Sequence, residues 1–204
     1  MPQLYLLRHG QTQFNLKGLV QGRCDSPLTE LGVSQAHAAG AWLAEQNVAF
    51  ARIVSSPLGR AHDTARIAAE ELSRGAAAGM CPEPPAVELE EGIIERDFGP
   101  FEQGSASEVP CELWDPGEAL VAFGGEGSAA LRARMVEALV RVMDTAAGGN
   151  VLAVSHGSAS LQFKLAWAEL AQCDQEQPIG NCCVMVFDYD PATREFSNVV
   201  IHNQ

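Results

Sequence analysis

Leu4-Tyr5-Leu6-Leu7-Arg8-His9-Gly10-Gln11-Thr12 decides the fold. An apolar run of strand length stops abruptly at an arginine, a histidine and a glycine. That is how the carboxyl end of a buried strand reads when it delivers polar groups into a crevice. Val151-Leu152-Ala153-Val154-Ser155-His156-Gly157 repeats the design, with a helical pattern after it. If the two strands run parallel in one sheet, His9 and His156 emerge on the same edge. The rest of the chain is read outward from that pair.

Between them, residues 8–22 read as a loop and a short helix, and Cys24-Asp25-Ser26-Pro27 as a turn. Thr29 is a helix N-cap candidate, followed by Val33, Ala36, Gly40 and Leu43 at helical spacing. A second strand at 50–54 ends in Ser55-Ser56-Pro57. The next helix carries Leu58, Ala61, Ala65, Ala68 and Leu72 on one face and puts Arg60 in its first turn. Residues 73–85 are rich in Gly, Ala and Pro and read as a connector with little structure. A short strand at 86–89 precedes Glu90-Glu91-Gly92-Ile93-Ile94-Glu95. Residues 100–127 are irregular, as a lid or a variable insertion is.

Ser128 is read as the cap of a helix with Leu131, Met135, Leu139 and Val142 inward. The helix after Gly157 aligns Leu161, Leu165 and Ala168. Two closing strands, 182–187 and 196–201, are joined by a hairpin at Asp188-Tyr189-Asp190-Pro191. Strand-helix alternation predicts an α/β, three-layer αβα sandwich with a mainly parallel central sheet and some antiparallel content near the end. The expectation is one domain over 1–204 with a lid-like insertion at about 100–127.

The chain has 204 residues, 47% of them hydrophobic and 19% charged, enough for a sizeable core. A formal net charge of −13 argues against nucleic acid or an anionic membrane as a partner. A small anionic substrate then requires a local concentration of cations, which Arg8 and Arg60 offer. No leader or membrane-length apolar run is evident, so the six cysteines are expected as reduced thiols in a soluble, cytoplasmic protein.

His9 has the makings of a nucleophile. A neutral imidazole has one nitrogen with a free lone pair, and attack on phosphorus needs it aimed through the other nitrogen. Positive charge must also surround the phosphoryl oxygens, and Arg8 and Arg60 supply forked donors. His156, if protonated, adds a third cation. The Gly157 N–H at a helix start adds a neutral donor. Glycines beside both histidines are expected to let phosphate approach the main chain. A two-histidine, one-carboxylate metal site using Glu95 is the competing arrangement; Arg8 beside His9 would repel a dication there, and no metal-binding spacing is present.

Leu7-Arg8-His9-Gly10-Gln11-Thr12-Gln13-Phe14-Asn15 resembles the signature of the histidine phosphatase superfamily in its phosphoglycerate-mutase-like branch. The resemblance continues through Gln21-Gly22-Arg23-Cys24-Asp25-Ser26-Pro27-Leu28-Thr29 and Ser55-Ser56-Pro57-Leu58-Gly59-Arg60-Ala61-His62-Asp63-Thr64-Ala65. It resumes at Glu95-Arg96-Asp97-Phe98-Gly99, Gly124-Gly125-Glu126 and Ser155-His156-Gly157. It implies a phosphorylated His9, with Arg8, Arg60 and His156 completing the phosphate pocket. Asn15, Gln21, Gly22 and Gly157 would make further contacts. Glu95, rather than Glu90 or Glu91, would protonate the leaving alkoxide and then activate water. No metal and no organic cofactor is implied, and relatives occur as monomers and homodimers. His62 stands where some relatives carry a second arginine.

The expected activity is metal-independent hydrolysis of a small phosphomonoester through phosphohistidine. The alternatives are a phosphoglycerate mutase using the same phosphohistidine, or a protein that binds phosphorylated ligands without turnover. Residues 101–123 contain no Lys or Arg, where the cofactor-dependent mutases have a cationic insertion. They carry Glu102, Glu108, Glu112, Asp115 and Glu118 instead, and a bisphosphate beneath such a lid is electrostatically unfavoured. Such a lid would suit neutral or cationic leaving groups, and Trp114 and Phe123 are candidates to line an apolar subsite. The sequence leaves open a sugar phosphate, a nucleotide, phosphoglycerate or a cofactor precursor such as α-ribazole phosphate.

Overall fold

The computed structural model describes residues 1–204. Its strands are β1 (Gln3–Arg8), β2 (Phe50–Ser55), β3 (Val87–Leu89), β4 (Asn150–Ser155), β5 (Val184–Asp190) and β6 (Glu195–His202). They form one sheet in the order β3-β2-β4-β1-β5-β6. β1 to β4 run parallel, and β5 pairs antiparallel with both β1 and β6. The expected α/β class, parallel centre and antiparallel end are all present.

The apolar run of β1 is explained by its position in the middle of the sheet. Alternate residues of a strand face opposite sides. Leu4 and Leu6 pack with Val151 and Ala153 under helices α4 (Ser128–Thr145) and α5 (Gly157–Ala166). Tyr5 and Leu7 pack with Leu152 and Val154 under α2 (Glu30–Glu45) and α3 (Gly59–Ala77). Both faces are covered, so neither strand alternates with polar residues. The pairing of Leu7 with Val154 and Arg8 with Ser155 sets His9 and His156 side by side one step beyond the sheet.

Several expectations are corrected. Thr29 does cap α2, accepting from the Gly32 N–H at 3.0 Å, but Val33 faces solvent; Ala36, Gly40 and Leu43 are buried. The 73–85 segment is not all connector, since α3 runs on to Ala77. Gly75 lies within this helix, and a Cβ there would lie 2.8 Å from the Ala44 Cβ, so its bareness lets α2 and α3 touch. The chain then leaves the helix at Gly79, with φ +74°.

Ser128 is the first residue of α4 rather than its cap, which is Gly127. Its hydroxyl donates instead to Asp115 Oδ1 at 2.7 Å. In α5 the core face is Ala159 and Phe163; Leu161 and Leu165 are half-buried and Ala168 lies beyond the helix end. Apolar spacing misread this helix because polar Gln162 and Lys164 are buried too. The last hairpin turns after Asp190, three residues later than expected from a strand ending at Phe187.

The 100–127 segment has order of its own. Residues 99–101, 106–108 and 119–123 form 3-10 turns. Val20, Phe98, Val109 and Leu120 make a small separate core. The segment is stitched to the loop after α1 (Gln13–Lys17) through Val20 N–H to Gly104 carbonyl at 3.0 Å and Gln103 N–H to Val20 carbonyl at 2.8 Å.

Candidate active site

A cavity of about 220 Å³ opens at the carboxyl ends of β1 and β4. Arg8, His9, Asn15, Gln21, Gly22, Arg60, Glu95 and Gly157 line it, so eight of the nine residues singled out in the sequence share one wall. The ninth, His156, stands directly behind, with its ring centroid 5.2 Å from that of His9.

His9 Nδ1 lies 2.7 Å from the carbonyl oxygen of Gly10. A carbonyl only accepts, so Nδ1 carries the proton and the Nε2 lone pair is free. Burial, then Arg60 and Arg8 nearby, holds this imidazole well below the ordinary histidine range. His9 is therefore neutral at pH 7, with the electron pair a nucleophile needs. Thr64 fixes the turn beside it, its hydroxyl accepting from Gly10 N–H at 3.1 Å and donating to the Arg60 carbonyl at 2.7 Å. Asn181 donates to the His9 carbonyl at 3.2 Å.

His156 is held differently. Its Nε2 lies 2.7 Å from Ser56 Oγ at the end of β2, and its buried Nδ1 has no protein partner. Burial is again the main cause of a lowered pKa, followed by Arg60, His9, Arg134 and Arg8. The condition attached to a third cation is therefore unfavoured, since burial works against the imidazolium here.

The cations are Arg8 and Arg60. Arg60 is almost fully buried and splayed by Cys24 carbonyl at 2.9 Å, Asp25 Oδ1 at 3.0 Å and Gly22 carbonyl at 2.6 Å, leaving Nε unpartnered. Arg8 donates to Ile179 carbonyl at 2.8 Å and also leaves Nε without a partner. Two guanidiniums on one cavity lining, one of them almost fully buried, form a nest for an anion. Around them, the Asn15 side-chain oxygen takes the Thr12 N–H at 3.1 Å, and the Gln21 oxygen takes the Thr12 hydroxyl at 3.0 Å. With both oxygens occupied, the two NH₂ groups are the free ends. The α5 N-terminus adds the Gly157 N–H.

Glu95 sits across that N-terminus. Its Oε1 accepts from Arg96 N–H at 2.8 Å and Ala159 N–H at 2.9 Å, and Oε2 from Ser158 N–H at 3.1 Å. The loop carrying it is gripped by Arg134, which donates to the carbonyls of Gly92, Ile94 and Glu95 at 3.1, 2.7 and 3.0 Å. Arg134 is itself held by a two-pronged ion pair with Glu126, both contacts 2.8 Å. Glu90 and Glu91 lie outside the cavity. No group of three or more His, Cys, Asp or Glu side chains is placed to enclose a metal ion.

Four further readings change. Gly10 does not border the cavity; a Cβ there would lie 2.4 Å from the Gly32 carbonyl, so it serves the packing of α2. His62 is outside the cavity wall. The lid carboxylates do not overhang the site, because several are anchored elsewhere. Glu102 accepts from the N–H groups of Arg23, Cys24 and Phe98, and Asp115 from Ser128 and Gln162. From residues 101–123 only Ala106, Leu113 and Trp114 reach the cavity; Phe123 packs edge-on against Phe101.

Sequence reasoning assigned no role to Ser56, Asn181, Arg134 or Glu126. Ser56 and Glu126 stood inside quoted motifs. Arg134 and Asn181 gave no signal, since their contacts are made across 39 and 172 residues of chain. Cys182 and Cys183, next to Arg8, are pushed up by burial to about 12 and about 11, so they are thiols and not competing nucleophiles.

Known proteins resemble the chain over nearly its whole length. The profile of the histidine phosphatase superfamily (branch 1) matches residues 4–202. The chain is 32% identical over 206 residues to a Yersinia pestis protein named "Probable phosphoglycerate mutase GpmB", covering 100% of this chain and 92% of that one. Among solved structures it is similar to phosphoserine phosphatase from Entamoeba histolytica in complex with 3-phosphoglyceric acid, with 25% identity and a TM-score of 0.74 over 100% of this chain and 98% of that one. Bacillus stearothermophilus YhfR gives 26% identity and a TM-score of 0.74, over 98% and 96%.

Proposed function

The chain belongs to branch 1 of the histidine phosphatase superfamily, and from that premise we propose that it is a metal-independent phosphomonoesterase working through phosphohistidine on His9. Residues 1–204 are read as one domain built to hold that site. The observation that carries the proposal is the pairing of a neutral, tautomer-fixed His9 with two guanidiniums on the same cavity lining.

His9 Nε2 attacks phosphorus while Arg8, Arg60 and the amides of Asn15 and Gln21 take the equatorial oxygens. The P–O bond to the leaving group breaks, and a protonated Glu95 gives its proton to the departing alkoxide. Glu95 then removes a proton from water, the hydroxide attacks phosphorus, and the P–N bond returns its electrons to Nε2. His156, with Nδ1 unpaired, serves as a further donor to the phosphoryl oxygens. The substrate is a small phosphorylated metabolite.

A mutase is the second reading, favoured by the name of the Yersinia relative. It requires a second cationic cluster for the carboxylate or second phosphate, and the cavity wall holds no Lys or Arg beyond Arg8 and Arg60. Incubation with a phosphomonoester should leave acid-labile, alkali-stable phosphate on the protein and release inorganic phosphate. Isomerisation of 3-phosphoglycerate outpacing phosphate release, with 2,3-bisphosphoglycerate present, would overturn hydrolysis in favour of the mutase. Turnover of neither kind, with no phosphate on His9, would leave a phospho-ligand binder.

A further inference from the structure

The cavity has two unlike ends. At one, Arg8 and Arg60 flank His9. At the other, the wall is made by Leu19, Val20, Phe98, Ala106, Leu113 and Trp114. The only carboxylate on the lining is Glu95, already engaged by three main-chain N–H groups.

Trp114 sits where the two ends meet. The Arg8 guanidinium carbon is 5.0 Å from the indole ring centre, within cation–π range. A Cβ on Gly157 would lie 3.0 Å from the indole, so the ring rests against the bare start of α5. Its neighbour Asp115 is pinned by Ser128 Oγ at 2.7 Å and Gln162 Nε2 at 2.8 Å, which fixes the segment's height above the sheet. Leu113, on the other side of Trp114, lines the cavity without being one of Arg8's partners.

We propose that the cavity selects phosphomonoesters whose leaving alcohol is uncharged and carries an aromatic or branched aliphatic face, and that Leu113 and Trp114 read that face. This rests on the hydrolase reading and narrows its substrate class. Once the phosphoryl group occupies Arg8 and Arg60, a carboxylate on the leaving group meets no cation and loses its hydration unrepaid. A cationic leaving group finds no free carboxylate, since Glu95 is already engaged. A polyhydroxylated one buries hydroxyls against leucine, valine and phenylalanine with few acceptors. The space of about 220 Å³ is below that of sites for drug-sized ligands, and suits one ring or a short branched chain.

The test compares kcat/KM for benzyl phosphate, 3-phosphoglycerate, phosphocholine and glycerol phosphate, all alkyl esters, in the parent, Leu113→Ala, Trp114→Ala and Trp114→Phe. The parent should prefer the benzyl ester by about tenfold or more. Leu113→Ala and Trp114→Ala should each lower that preference several-fold, chiefly through KM, and Trp114→Phe should restore part of it. The ratio is the readout, since loosening Arg8 alone would slow all four esters alike. Preference for 3-phosphoglycerate or phosphocholine, or a ratio untouched by both alanine variants, overturns the proposal. Failure of the hydrolase reading looks different: no ester is turned over and no phosphate is trapped on His9. The wall is then judged by calorimetric binding of benzylphosphonate against phosphonoacetate, and tighter binding of phosphonoacetate overturns it.

Discussion

The ends of β1 and β4 share one sequence design, an apolar strand followed by His-Gly, yet the two histidines are held in opposite ways. His9 is tied by Nδ1 to the carbonyl of the next residue in its own chain, at 2.7 Å, and shows its other nitrogen to the cavity. His156 is tied by Nε2 to a side-chain hydroxyl just past the end of β2, also at 2.7 Å, and keeps its other nitrogen buried and unpaired. An acceptor-only tether fixes a free lone pair and makes a nucleophile. A hydroxyl, which donates or accepts, leaves the second ring free to exchange its proton. Motif likeness thus gives place, while the tether gives role.

The strongest way to break this contrast is His9→Ala. Removing the attacking atom should lower kcat by on the order of 10⁴-fold or more and abolish acid-labile phosphate on the protein. Phosphate release persisting within tenfold of the parent, followed by a colorimetric assay, would assign the chemistry to another group. His156→Ala removes a donor rather than the nucleophile. Its expected loss in kcat is about 10²–10³-fold, with phosphohistidine still detectable by slow labelling. Equal losses in the two variants, with no labelling in either, would erase the distinction.

What the sequence revealed follows the same division. The sheet and the helices on both faces were legible because each depends on local pattern, an apolar run or a helical stripe. Arg8, His9, His156 and Gly157 were singled out at strand ends and Arg60 in a helix's first turn, whereas Asn15, Gln21, Gly22 and Glu95 came from the family resemblance. The lid was not legible. Its acidic residues suggested a negative roof, but Glu102 and Asp115 turn inward to satisfy main-chain and side-chain donors. A carboxylate's direction is decided by whichever donors the fold brings to it, and those lie far off in the chain. Gly10 misled similarly, since the constraint on it comes from Gly32. Arg134, gripping the Glu95 loop from α4, was silent for the same reason.

A third prediction uses the property the two rings share. Both have folded pKa values well below the ordinary 6.5. As pH falls below about 6.5 the unfolded chain takes up protons that the folded chain refuses, so stability falls with pH until the folded values are reached. The two together contribute a slope of up to about 2.7 kcal/mol per pH unit. Urea midpoints should therefore drop between pH 7 and pH 5.5, and less steeply in His156→Gln. Identical slopes in parent and variant would mean that His156 is not buried neutral.

The finest test of the contrast is Ser56→Ala. His9 cannot lose its tether by side-chain substitution, because the acceptor is a peptide carbonyl. His156 can, and the variant leaves both of its nitrogens without a protein partner. Losing such an orienting contact costs about 10- to 100-fold elsewhere; here the low end is expected, since the ring stays walled in by its neighbours. The fall should appear in kcat, because the phosphate nest of Arg8 and Arg60 is untouched and substrate still binds. Ser56→Thr keeps the hydroxyl and should recover part of the loss, provided that urea midpoints show the added methyl is tolerated. If Ser56 merely fills space, alanine will change the midpoint and leave kcat where it was. In that event the two strand ends differ in geometry but not in chemistry, and the orientation of His156 must come from the packing around it.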